Sequence, residues 1–220
     1  MPLTDLFRID RRAALALLAA LVLPTSPARA QGTFDIVELM RTLAQVKTGE
    51  ATFTETRSVA MLERSLQSSG RLSFAAPDSF VRETLKPRRE KVAVVGNQVT
   101  MSIGDGTGTR SRTVPLDSVP EAAVIMEAIR GTLTGNRDAI ERNFAPTVSG
   151  TPQHWALELK PREPRLRELV IAVRLAGENG LVREVKVAMA DGDSSVMTIE
   201  PITSRPTTPS PGARSASAPS

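Results

Sequence analysis

Between Phe34 and Val46 the apolar positions Phe34, Val37, Met40, Leu43 and Ala44 recur every three or four residues, with Asp35, Glu38, Arg41 and Gln45 between them. That spacing predicts an amphipathic helix, and Gly49 is expected to end it. From Ala51 onward the period drops to two. Thr52-Phe53-Thr54, Leu72-Ser73-Phe74, Val92-Ala93-Val94 and Val99-Thr100-Met101-Ser102-Ile103 read as strands, separated by the turn residues Ser69-Gly70, Pro77-Asp78, Pro87 and Gly96-Asn97. At Val119 the period returns to helical: Ala122, Ala123, Ile125, Met126, Ile129 and Leu133 form a stripe that runs out between Gly131 and Gly135. Asn136 is a good N-cap for a short third helix reaching Arg142.

Strand alternation then resumes in Trp155-Leu157-Leu159, in Leu169-Ile171-Val173-Leu175, in Val185-Val187-Met189 and in Met197-Ile199. Turns are expected at Pro161 to Pro164, Glu178-Asn179-Gly180 and Asp191-Gly192-Asp193. The pattern therefore predicts a mainly β fold with helices (α+β). One helix precedes about five or six strands, a helical insertion follows, and about four or five further strands complete a single curved antiparallel sheet with the helices on its concave face.

Both ends read differently. Met1 to Arg12 carries three arginines, Ala13 to Leu23 is an unbroken apolar run, and Ala28-Arg29-Ala30 supplies small residues at a cleavage position. This is the layout of a secretory signal peptide over residues 1–30, because the run is far short of the roughly 20 residues that span a bilayer. A buried N-terminal helix is the alternative reading. The segment from Thr203 to Ser220 holds Pro, Ser, Thr, Ala, Gly and Arg with no larger apolar side chain, and is expected to stay disordered. The folded domain is thus placed at 31–202.

Charge sharpens this picture. Of 220 residues, 28 are Lys or Arg and 24 are Asp or Glu, but the excess lies in the ends: residues 31–202 hold 22 of each sign. A neutral domain offers no field for phosphate backbones, so no nucleic-acid partner is expected. There is no cysteine, so an exported chain of this kind must be held by burial rather than disulfides, and it carries no site for a lipid anchor of its own.

Candidate chemistry is sparse. The single histidine, His154, has no placed nucleophile beside it, and one histidine without cysteine cannot build a zinc site. Gly104-Asp105-Gly106-Thr107-Gly108 lacks the Lys-Ser/Thr of a phosphate cradle, and Asp191-Gly192-Asp193 lacks the remaining ligands of a calcium loop. Lys86-Pro87-Arg88-Arg89-Glu90-Lys91 could meet an anionic headgroup or partner, or be a solvated hairpin end. No enzyme activity, metal or cofactor is expected. What remains is apolar surface: a curved sheet facing a helix that bears Ile125, Met126 and Ile129 encloses either a pocket or a solid core, and periodicity does not separate the two.

The motifs Phe53-Thr54-Glu55, Ser69-Gly70-Arg71-Leu72-Ser73-Phe74-Ala75-Ala76-Pro77-Asp78, Lys86-Pro87 with Glu90, Trp155-x-Leu157-x-Leu159-x-Pro161 and Asp191-Gly192-Asp193 before Met197, in this order, resemble the outer-membrane lipoprotein carrier (LolA) family and its LolA-related branch. The resemblance runs from Phe34 to about Ile202. It implies an incomplete β-barrel with a helical lid over an apolar cavity, and a periplasmic, monomeric carrier of the acyl chains of lipoproteins or glycolipids. Such carriers take cargo from an inner-membrane export complex and pass it to an outer-membrane acceptor. The lipid-binding residues it implies are Leu72, Phe74, Val92, Val94, Met101, Ile125, Met126, Ile129, Trp155 and Leu157. The chain departs from the family where established carriers place a lid-latching arginine before the turn proline; here that residue is Ala76. A related regulatory module that senses lipid or outer-membrane protein is the alternative function.

Overall fold

In a computed structural model of the chain, residues 34–104 and 108–202 are described. Eleven strands among them form one antiparallel sheet in the order β6-β5-β4-β3-β2-β1-β11-β10-β9-β8-β7. The first meander comprises β1 (Thr48–Ser58), β2 (Leu66–Ala75), β3 (Ser79–Lys86), β4 (Glu90–Val95), β5 (Gln98–Gly104) and β6 (Thr109–Pro115). The second comprises β7 (Phe144–Thr151), β8 (His154–Pro161), β9 (Val170–Glu178), β10 (Leu181–Met189) and β11 (Ser194–Pro201). The pairing of β1 with β11, Phe53 opposite Ile199, welds the two meanders together. β6 and β7 stay unpaired with each other, so the curved sheet does not close.

Two helices and a 3-10 turn lie where the chain crosses from one free edge, β6, to the other, β7; one helix precedes β1 and a short one falls between β8 and β9. α1 (Ile36–Leu43) opens on Asp35, whose carboxylate accepts from the amides of Val37 and Glu38 at 2.9 and 3.0 Å, satisfying two of the donors that a helix start leaves free. It is shorter than the stripe from Phe34 to Val46, and Gly49 belongs to β1 rather than to its end. After a 3-10 turn at Leu116–Ser118 come α2 (Pro120–Leu133) and α3 (Arg137–Asn143). α3 starts on the expected Asn136, whose side chain accepts from the Ala139 amide at 3.0 Å. A single helical turn, α4 (Pro164–Arg167), follows the turn expected at Pro161 to Pro164 and was not itself expected.

Three details differ from the sequence pattern. Ser69-Gly70 is no turn: it sits inside β2, at a register shift against β3. There Gly70 is required by close approach, because a Cβ would run into the Glu83 carbonyl. The strands β3, β6 and β7 carry no clean alternation and were not expected individually. In β9 the alternation slips: Val170 pairs with Met189 and Ala172 with Ala188, leaving Ile171 as an extra residue. That bulge turns Ile171 outward at 51 % exposure and buries Val170 fully.

Two apolar clusters result. The larger joins Leu39, Met40 and Leu43 of α1, Val124 and Ala128 of α2, Ile140 of α3 and Phe144 to strand residues Trp155, Leu157, Leu159, Val170, Val173 and Leu175. The smaller joins Phe80, Val94, Val99 and Leu116, with Phe74, Val92, Met126 and Ile129 against it. α2 contributes to both.

Candidate functional site: a roofed apolar cavity

The two sides of α2 meet different surroundings. On one side Ala128, Gly131 and Thr132 are buried, and Gly131 lets the Ile140 side chain lie against the helix, where a Cβ would clash. Asn143 Nδ2 donates to Glu127 Oε1 at 3.0 Å, fastening α2 to α3. On the other side Ala122, Ile125, Met126, Ile129 and Leu133 look into a cavity of about 1140 Å³. Its walls come from both meanders: Leu72, Phe74, Phe80, Val92, Val94, Val99, Met101 and Val114 on one, and Val182, Val185, Val187, Met189, Met197 and Ile199 on the other. The interior is therefore solid beneath α1 and α3 and hollow beneath the opposite face of α2.

Of the residues singled out in the sequence, Leu72, Phe74, Val92, Val94, Met101, Ile125, Met126 and Ile129 line this space together. Trp155 and Leu157 do not. They are 2 % and 0 % exposed inside the solid half, because β8 runs under α1 and α3, and the Trp155 indole donates to the Asn179 carbonyl at 2.9 Å instead of facing the cavity. Phe80 was missed with its strand. It stacks on Phe74 with ring centroids 5.1 Å apart, so the Phe74 position in β2 was the available signal for an aromatic opposite it in β3.

The model of outer membrane lipoprotein carrier protein LolA-like sequences matches residues 28–200. The chain belongs to this LolA-like family. No curated protein matches it. Among solved structures it is similar to a LolA-superfamily protein from Nitrosomonas europaea, at 8 % identity and TM-score 0.38, over 75 % of this chain and 90 % of that one. A chain of the Pseudomonas aeruginosa MucA/MucB complex gives 13 % identity and TM-score 0.41 over 76 % of this chain, which spans 56 % of that one. A putative outer membrane lipoprotein-sorting protein domain from Vibrio parahaemolyticus gives 9 % and 0.32 over 78 % and 93 %.

In this LolA-like chain the open end of the cavity is polar. Arg82 Nη2 and Glu55 Oε2 lie 2.5 Å apart, the Ser68 hydroxyl donates to Glu55 Oε2 and accepts from Arg82, both at 3.2 Å, and the guanidinium lies 4.9 Å over the Phe53 ring. Beside them Arg57 Nη2 meets Asp193 Oδ2 at 2.9 Å. Asp193 Oδ1 also accepts from the Ala60 amide at 3.0 Å; that bond first, and the Arg57 bond second, hold its carboxyl below the ordinary carboxylate range. At the roofed end Arg130 Nη2 donates to the Gly96 carbonyl at 2.6 Å, tying α2 to the β4–β5 turn. Neither Arg82 nor Arg130 was singled out in the sequence, because their partners come from other strands.

Among the described residues, the other candidate motifs sit at strand starts and turns. His154 is exposed at the start of β8. Asp191 caps its own turn by accepting from the Asp193 amide at 2.9 Å. Residues 105–107 of the glycine-rich loop, residues 1–33, on which the expected signal peptide falls, and the tail from Thr203 lie outside the described residues. Among the described residues no cluster of His, Cys, Asp and Glu could hold a metal, and no helix is long and apolar enough to cross a membrane.

Proposed function

We propose that this chain is a periplasmic carrier that shelters the acyl chains of lipoproteins or other lipid-tailed molecules in its cavity and moves them toward the outer membrane without chemical turnover. The observation that carries the reading is the hollow half of the interior. Its volume of about 1140 Å³ exceeds the roughly 300–1,000 Å³ of ordinary small-ligand clefts, and its walls are mainly aliphatic, aromatic and Met side chains, with charged and polar groups toward the rim. Burying one C16 chain there offers on the order of 10 kcal/mol at about 0.8 kcal/mol per methylene, before ordering costs. That suffices for holding and still allows release. The family and the export-like residues 1–30 support the location.

Displacement of a fluorescent fatty acid tests the reading, together with native mass spectrometry of protein recovered from the periplasm. Saturable binding and a copurified lipid-tailed species are expected. A chain that binds no acyl ligand, or that cleaves the lipid it binds, refutes it.

A further inference from the structure

The open end of the cavity carries two surface features that acyl binding leaves unexplained. One is the connection between β1 and β2, residues 59–65, with the start of β2 behind it. Met61 is 94 % exposed there, and Leu62 and Leu66 are about half exposed. The connection is not loose: the Ala60 amide is tied to Asp193, and the Leu62 amide donates to the Val59 carbonyl at 2.9 Å, so the apolar side chains are held outward by a fixed turn. The other is the β3–β4 turn, where Lys86, Arg88, Arg89 and Lys91 are exposed against the single acid Glu90.

The two features share one rim. Arg57 pairs with Leu66 and Ser69 with Lys86, and Ser65, Leu66, Pro87 and Arg88 all border the cavity mouth. We infer that this rim docks on the surface of an anionic phospholipid bilayer, with Met61 and Leu62 entering the headgroup–acyl boundary and the Lys86–Lys91 turn lying on the lipid phosphates. Apolar side chains beside a basic cluster are the combination that interfacial binding needs, since burial and charge attraction add. A protruding tip of two or three side chains suits a lipid interface better than a protein one, which needs about 800 Å² of matched surface on each partner. Docked in this way, the cavity opens toward hydrocarbon, so an acyl chain can pass between bilayer and carrier without crossing water. Only that last consequence rests on the carrier reading; docking itself is measured without cargo.

The test is flotation of the full chain with vesicles of phosphatidylcholine alone or mixed equally with phosphatidylglycerol. Binding to the mixed vesicles that weakens with added salt is expected, with little on the neutral ones. Each basic residue near an anionic surface strengthens binding about five-fold, so Lys86→Glu/Arg89→Glu/Lys91→Glu, three exposed positions away from the cavity lining, should weaken it at least a hundred-fold. Met61→Ser/Leu62→Ser should weaken it about ten-fold with the salt dependence kept. All five positions are exposed, so melting and fatty-acid displacement should be unchanged in both variants, which separates failure of docking from failure of acyl binding. Absence of flotation with mixed vesicles, flotation that survives both variants, or binding only when a membrane protein is added to the vesicle overturns the inference.

Discussion

A pair of substitutions distinguishes the hollow half of the interior from the solid half. Leu157 is fully buried among α1, α3 and the second meander, so Leu157→Ala leaves a void and should cost about 3 kcal/mol, lowering Tm by about 6–12 °C for a chain of this size. Met126 packs against the smaller apolar cluster and also borders the free volume of the cavity. Met126→Trp therefore adds atoms to free volume rather than forcing neighbours apart. In a filled core the same replacement would overpack and cost about 1–3 kcal/mol. In the cavity it should leave Tm within a degree or two of the parent, yet weaken fatty-acid binding about ten-fold, since the ring takes space worth one or two methylenes of ligand at about 0.8 kcal/mol each. Ile129→Trp, one turn along the same face, should repeat the result. Differential scanning fluorimetry and displacement of a fluorescent fatty acid measure the two effects. A Met126→Trp chain that melts many degrees lower while the parent binds no acyl ligand would show that the space is closed in solution and refute the reasoning.

Gly70→Ala should destabilise the chain by about 2 kcal/mol or more, because its Cβ meets the backbone of β3, and the loss should appear as a lower urea midpoint. Asp193→Asn removes a carboxyl whose folded pKa lies below its ordinary value; such a group contributes stability above the unfolded pKa of about 4 and loses it as pH falls through the folded one. The Tm gap between parent and Asp193→Asn should therefore be present at neutral pH and shrink as pH drops below about 4; a gap independent of pH contradicts the assignment. Intact mass of the periplasmic form should correspond to a chain beginning at Gln31, and truncation after Ile202 should leave Tm unchanged.

How far the sequence revealed the fold depended on what each strand faces. β8 alternates cleanly because its inner residues Trp155, Leu157 and Leu159 all meet the solid half. β3 has the same geometry, but its inner positions are Phe80, Arg82 and Thr84, an aromatic, a charge and a hydroxyl that step from the apolar floor to the polar rim. A strand that crosses from one environment to the other loses the binary pattern, so β3 and its aromatic escaped notice. The α3 start was legible because an N-cap is a local bond between neighbours in sequence. The bond from Arg130 to Gly96 and the ion pair of Arg82 with Glu55 were not, since each joins residues 27 or more apart.

Periodicity reports which face leaves water and says nothing of what it meets, and this is why Trp155 and Leu157 looked equivalent to Phe74 and Val94. The composition of α2 does carry the missing information. Around that helix the side chains toward α3 are small, Ala128 and Gly131, whereas those on the other side are long and flexible, Ile125, Met126 and Ile129. Small residues allow the close approach to Ile140 that fixes the helix, and once one side is fixed, the other cannot collapse onto the sheet to fill the space beneath it. Met126 and Ile129 then reach inward from the roof, touching the Phe80–Val94 cluster on one flank and bordering open space on the other. The same helix is thereby both a packed element of the core and the roof of the cavity, and the asymmetry of residue size around its axis, rather than its apolar stripe, is the feature that distinguishes its packed side from its cavity side.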